Sequence, residues 1–551
     1  MVATAAQYPL IQIVESDDLY LERGEQFVWF RLLHGLDCSA LRPVAARYYE
    51  ALWQFNVEQQ RGRERRMAEV ARANPETRAQ ATVRLLFERP TLCEGAAPLH
   101  EVCAGLIAEI SVDPASLGPG RVPLRIAGRQ PKCFFALTKA FLGMVLRGRP
   151  AEPEIVYDEL CNNPAYARAC GFTLPDRRRG YRHSDTPRLR KLEQFDQIMT
   201  SAGLWHDLAV EKVRTNLREG VVTVGITVVH DTTHYPARSA MTAVEVPAPA
   251  QAPAPQKGHK PRRLKKGQRQ AGQAVRRKSH PRTIKTCRCA EPESCPHPWV
   301  SADQGAGTVC KSGGKRYWAH KASTIGVPGQ EVLLDAVAMS DAAAHDSTSL
   351  EAHLERLFGD FPELEEKIEW VLDDAAADDE GLKTRLIERW GIVLMTPINA
   401  RRRKKQTKNL PRGVQHIEPA GIPVCRQGFP FDFVGVRHEE QRFIFRAPDI
   451  DGVPVCTDCS VRTECYRGEH GARQVTIPFE RLPWINPGMP ELSLRFQQEM
   501  ANRTVIERLH KLMKEDFGDE RLAKRGNDAF QARLDKTRWA MHVLLAERKR
   551  R

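Results

Sequence analysis

Val221-Val222-Thr223-Val224-Gly225-Ile226-Thr227-Val228-Val229-His230-Asp231 is a β-branched run that ends in an acid. Such side chains suit a pleated, packed surface, so the run predicts a buried strand with Asp231 at its carboxyl end. Downstream, strand signals return at Arg316 to Lys321 and at Glu331 to Ala338. A helix follows from Ser347 to about Phe358, then a strand from Ile368 to Asp374, a helix from Gly381 to Trp390 and a strand from Ile392 to Met395. Strands followed by helix, strand, helix, strand predict an α/β core: a mixed five-stranded sheet with flanking helices.

Upstream of Val221 the periodicity is helical. Residues 1–150 carry Leu41, Val44, Tyr48, Leu52 and Phe55 at helix spacing, with breaks at Asn74-Pro75 and Gly118-Pro119-Gly120. A second helical region spans 151–220. Thr186-Pro187 caps a helix through Leu189, Leu192, Phe195 and Ile198, and a break at Gly203 precedes one through Trp205, Leu208, Ala209 and Val213. Arg177-Arg178-Arg179, Arg182, Arg188 and Arg190 suit that region to DNA docking. Residues 221–551 form the third region, interrupted by insertions at 240–315 and 400–498. The first insertion opens on a Pro/Ala linker, Pro247 to Pro255.

The chain has 551 residues, with 83 Lys and Arg against 69 Asp and Glu, a formal charge of +14. The excess is concentrated: Lys257 to Arg288 holds thirteen Lys or Arg and no acid, and Arg401 to Lys405 is a second block. Such runs suit phosphate backbones, or serve as solvated linkers. No apolar run is long enough for a membrane span, and Met1 to Leu19 lacks the basic start of a secretory signal. The expected location is the cytoplasm. A phosphate-binding loop is excluded: before Gly314-Lys315, Val309 stands where the first glycine belongs.

Arg503-Thr504-Val505-Ile506-Glu507-Arg508-Leu509-His510-Lys511-Leu512-Met513-Lys514 reads as an amphipathic helix. At roughly 100° per residue, Arg503, Glu507 and Lys514 share one face, opposite Ala501, Val505, Leu509, Leu512 and Met513. Taken alone, Arg503 and Glu507 are an ordinary i,i+4 ion pair. Beside Asp231 and Asp373-Asp374, however, Glu507 is a third acid for one edge of an open α/β sheet, where ligands bind. Three carboxylates together need a cation, and oxygen ligands without imidazole favour Mg²⁺ or Mn²⁺ over zinc.

The blocks His230-Asp231-Thr232-Thr233-His234, Val371-Leu372-Asp373-Asp374 and Asn502 to Arg508 resemble those of DDE transposases from bacterial insertion sequences. The last block also resembles the Tyr-x2-Arg-x3-Glu-x6-Lys signature of one large group, with Arg503, Glu507 and Lys514 in place and Met500 at the tyrosine position. The resemblance implies a ribonuclease-H-like catalytic core in which Asp231, Asp374 and Glu507 hold Mg²⁺, and Arg503 and Lys514 steer DNA phosphates. It also implies action on double-stranded DNA, at terminal inverted repeats and target DNA, by a homodimer. The family pattern favours Asp374 over Asp373.

Of 14 cysteines, eight form two clusters. Cys456-x2-Cys459-x5-Cys465 with Cys425 has spacing for a structural zinc, and Cys287-x-Cys289-x5-Cys295-x-His297 with Cys310 is a second, less typical set, with Cys287, Cys289, Cys295 and Cys310 as the expected ligands. Reduced cysteines that merely pack are the competing reading. The function expected is a DNA transposase. The alternatives are a nuclease on the same core, or a zinc-stabilised DNA-binding regulator whose acids are structural.

Overall fold

The computed structural model describes residues 32–73, 133–172, 186–246, 276–310, 316–399, 406–466 and 471–550, apart from positions 34, 240, 282, 286, 288 and 521. The two loop breaks of the N-terminal region, Arg177-Arg178-Arg179, Arg182, the Pro/Ala linker, the first part of the basic run, Gly314-Lys315 and Arg401 to Lys405 lie outside these residues.

The central sheet is mixed, as expected, and has six strands in five positions. In chain order they are β1 (Thr227–Pro236), β6 (Gly307–Cys310), β7 (Arg316–Val327), β8 (Val332–Ala338), β9 (Trp370–Leu372) and β10 (Val393–Met395). Between β1 and β6 lie a ribbon, β2 (Met241–Val246) with β3 (Arg276–Pro281), and a short pair, β4 (Thr283–Ile284) with β5 (Val300–Ser301). Across the sheet the order is β10, β9, β1, β7, and then β8 and β6 share the far edge of β7. β1 runs antiparallel to β7 and parallel to β9, and β10 parallel to β9.

The sixth strand, β6, was not anticipated, and β1 differs from its expected span. It begins at Thr227 and continues past Asp231 to Pro236. Val221, Val222 and Val224 are buried as a lead-in. Asp231 is therefore interior to its strand, paired with Thr324, because twelve-residue β7 carries the ladder onward to Pro236. Parallel β9 stops at Leu372, opposite Val229. Asp231 thus lies just past the end of its parallel neighbour, at the rim of the sheet.

Successive residues divide between two cores, as a pleat requires. Val228, Leu334, Val371 and Leu394 join one, while Val229, Leu333, Leu372 and Met395 join the other. The first core is covered by helices Leu350–Asp360 and Glu380–Trp390. The second is shared with the helical regions before Val221, through Phe134, Phe141, Phe195 and Trp205. The same core takes in Thr504–Lys511 and a long C-terminal helix, Asn527–Arg550. We call these four helices α1 (Leu350–Asp360), α2 (Glu380–Trp390), α3 (Thr504–Lys511) and α4 (Asn527–Arg550). Most of α4 is buried, and its charges are matched: Arg533 with Asp519, Lys536 with Asp196, Arg538 with Asp335.

The 400–498 insertion builds a small core of its own around Phe443, Phe445, Val475 and Ile477, on a three-stranded antiparallel sheet. Among the described residues no helix is long and apolar enough to cross a membrane.

Candidate functional site

The register sorts the two acids that follow β9. Val229 pairs with Leu372, so the next rank sets His230 beside Asp373. That contact is present: His230 Nδ1 and Asp373 Oδ2 are 2.6 Å apart and both side chains are buried. Asp374 follows beyond the end of β9. Asp374 is half-buried, and its Oδ1 accepts the Ala376 N–H at 2.7 Å, capping a short 3₁₀ turn.

Burial pushes the Asp231 carboxyl up to about 6, with Asp373 and Asp374 adding to the rise and the Thr232 N–H and Arg503 opposing it. An acid that is costly to ionise beside two others is the electrostatic setting a divalent cation relieves.

Behind Asp373 runs a chain of buried polar groups. His230 Nε2 lies 2.8 Å from Ser323 Oγ, which lies 2.7 Å from His353 Nδ1. His353 Nε2 is 3.3 Å from Asp335, which also binds Arg538 and Arg356. Desolvation pushes Asp373 up and His353 down, each opposed by its partner.

Helix α3 crosses β1 and β7 at the same rim. Its buried side is Val505, Ile506, Leu509 and His510, continued by Met513. Ile506 and His510 join the expected stripe, whereas Ala501 is exposed and Leu512 half-exposed. Gly326 allows the close approach, since a Cβ there would meet Leu509 Cδ1 at 2.7 Å and Ile506 Cδ1 at 3.1 Å. Thr324 Oγ1 donates to the Asp231 carbonyl at 3.0 Å, so His510 Nε2, 2.7 Å away, donates to Thr324. Burial keeps His510 neutral, its pKa lowered to about 3, with Lys514, His230 and Arg503 acting the same way.

Arg503 stands at the helix start, 3.0 Å from Glu507 and 4.0 Å from Asp231. Glu507 is turned outward, its side chain 63 % exposed. The i,i+4 pair is thus present, and Arg503 also bridges toward Asp231. After α3 the helix widens into a π turn, Leu512–Asp516, which brings Lys514 Nζ to 2.6 Å from Thr233 Oγ1 and over the Tyr235 ring at 5.0 Å. Met500 is half-buried against the main core.

Asp231, Asp374 and Glu507 do not come to a common ligand distance. Among the described residues, the group whose donor atoms all lie within 4.8 Å of one another is Cys287, Cys289, Cys295 and His297. This set could hold a metal ion. His297, two residues after Cys295, is the fourth member, and the expected Cys310 has a side chain outside the described residues. Cys425, Cys456, Cys459 and Cys465 line one cavity of the 400–498 insertion. Gly413, at φ +82°, lets the chain pass Cys465, where a Cβ would meet the sulfur at 2.1 Å. These four do not reach the mutual distance of the first set.

Sequence reasoning missed Ser323, His353, Asp335 and His510 as neighbours of the acids. The available signal was a polar residue at an inward position of an otherwise apolar strand or helix stripe. No protein-family model matches the sequence, and no curated protein matches it.

Proposed function

We propose that this chain is a DNA transposase with a ribonuclease-H-like core, acting as a homodimer on double-stranded DNA. What supports the fold is the order of three antiparallel strands joined to two parallel ones, with helices between the later strands. What supports the function is the Asp231 carboxyl at the sheet rim, on which Asp373 and Asp374 both act, with the Glu507 helix packed across the same strands. Asp231, Asp374 and Glu507 would hold Mg²⁺ or Mn²⁺, and the raised Asp231 carboxyl fits such a guest. When bound, the cations activate the attacking oxygen and stabilise the leaving one.

The chain's own residues supply the rest. Buried His230 engages Asp373, and Asp374 is the acid we assign as the partner of Asp231. Arg503 and Lys514 flank the acids and bind the phosphate backbone. Glu507, exposed at the end of its side chain, turns from Arg503 toward the acid pair. Water attacks the phosphodiester at the element end and the 3′-oxygen leaves. The freed 3′-hydroxyl then attacks target DNA and displaces a second 3′-oxygen. Three thiolates and an imidazole suit zinc at Cys287, Cys289, Cys295 and His297, as a structural ion.

Cleavage and strand transfer on duplexes carrying the element's terminal inverted repeats, with Mg²⁺ present, is the direct test. Asp231→Asn is expected to lose activity by about 10³-fold or more, and full activity in that variant would sink the proposal. Cleavage without a joined product would support the nuclease reading instead.

A further inference from the structure

The segment between β4 and β5 has no apolar core, for every described residue from 283 to 300 is exposed or half-exposed. Such a segment holds one conformation only when something other than burial supplies the energy. Its ordered feature is the donor set. Cys287 Sγ and Cys295 Sγ are 3.3 Å apart, and Cys289 Sγ and His297 Nδ1 are 3.5 Å apart. A tetrahedral zinc with Zn–S near 2.3 Å separates its sulfurs by about 3.8 Å, so small shifts seat the ion. Three thiolates around a dication leave one negative charge. Lys285 Nζ, 3.4 Å from Cys295 Sγ and bonded to the Cys295 and His297 carbonyls, balances it.

This lobe closes the base of the β2–β3 ribbon. Ser239, just ahead of β2, gives its N–H to buried Asp303 at 3.3 Å. Asp303 also takes the Gly526 N–H at 2.7 Å and pairs with His320 at 2.9 Å, which ties it to the core. From the other side, β3 runs directly into β4, through the lobe to β5, and back to Asp303. One root of the ribbon is therefore pinned by Asp303, and the other is held by the short β4–β5 pair that carries the lobe. β3 carries Arg276, Arg277 and Lys278, paired in register with Val246, Glu245 and Val244. A two-stranded ribbon fits the major groove of duplex DNA, and its cations exchange for counterions on the phosphates.

We propose that zinc held by Cys287, Cys289, Cys295 and His297 locks the base of the β2–β3 ribbon, and that the ribbon lies on double-stranded DNA. The choice of DNA rests on the transposase reading; the metal does not.

The test uses the full chain. In Cys289→Ser/His297→Ala, zinc measured by mass spectrometry falls by one equivalent per chain. Trypsin cleavage after Lys285 or Arg288 speeds up, and duplex affinity by fluorescence anisotropy weakens about tenfold. A triple variant, Arg276→Ser/Arg277→Ser/Lys278→Ser, keeps its zinc but lowers the slope of log affinity on log salt by about 0.9 per cation removed. Unchanged zinc content in the first variant, or a Cys287–Cys295 disulfide in the intact mass, overturns the metal site. Zinc loss with unchanged affinity, or an unchanged salt slope in the triple variant, overturns the ribbon. Failure of the catalytic reading shows separately, as wild-type protein that binds zinc and duplex DNA but never cuts.

Discussion

Asp231 is the residue at which burial and repulsion meet. Its folded pKa of about 6 lies above the ordinary value of 3.8. The native state therefore holds this proton more tightly than the unfolded state. The contribution is most favourable below pH 3.8 and is lost as pH rises through the window to about 6. Other carboxylates titrate there too, so the informative quantity is the difference between wild type and Asp231→Asn. Without divalent ions, Asp231→Asn is expected to be more stable by about 3 kcal/mol at pH 7.5 and by only about 0.5 kcal/mol at pH 4. Adding Mn²⁺ should raise the melting temperature of wild type at pH 7.5 and leave the variant unmoved. Differential scanning fluorimetry at both pH values checks the sign. The neighbouring acids separate in the same way. Asp373→Ala strands buried His230 and should cost roughly 3 kcal/mol in denaturant titration. Asp374→Asn keeps the cap on Ala376 and should leave stability within about 0.5 kcal/mol while DNA cleavage disappears.

At the scale of elements, α3 is placed by what it lacks on its partner strand. Gly326 leaves room for Leu509 and Ile506, and the Thr324–His510 contact sets the helix's rotation. Gly326→Val pushes the helix outward, at an expected cost of about 1–3 kcal/mol. Cleavage activity should fall further than that loss of stability explains, because Glu507 and Arg503 move with the helix. Equilibrium unfolding and activity, measured at a temperature where both proteins are folded, distinguish the two effects.

For the whole molecule, α4 is the post to which the sheet and the helical regions are fastened. It packs against β8 and helices Leu204–Arg218 and Phe134–Leu146, and it brings fully buried Arg538 to Asp335. Removing one member of such a pair leaves the other charge stranded, so Arg538→Met is expected to cost roughly 3–5 kcal/mol. The double variant Arg538→Met/Asp335→Leu should recover part of that loss. A double variant no more stable than the single would show that Asp335 is satisfied by Arg356 and His353 alone.

Five strands of the central sheet, α1 and α2 were legible in the sequence, because alternation and helical spacing are local properties of a chain facing two cores. The cysteine spacings and the three acidic blocks were legible for the same reason. Where β1 stops was not, since a strand's length is set by its partners. Twelve-residue β7 extends β1 past Asp231, while three-residue β9 ends before it. The different settings of Asp373 and Asp374 likewise waited on register, which buries Asp373 against His230. Spacing alone left His297 and Cys310 open as a fourth ligand, and only the folded loop brings His297 to the thiols. The sequence thus determined which residues are available for chemistry. Tertiary structure decided which of them meet, because neighbours across a sheet are chosen by pairing and burial rather than by distance along the chain.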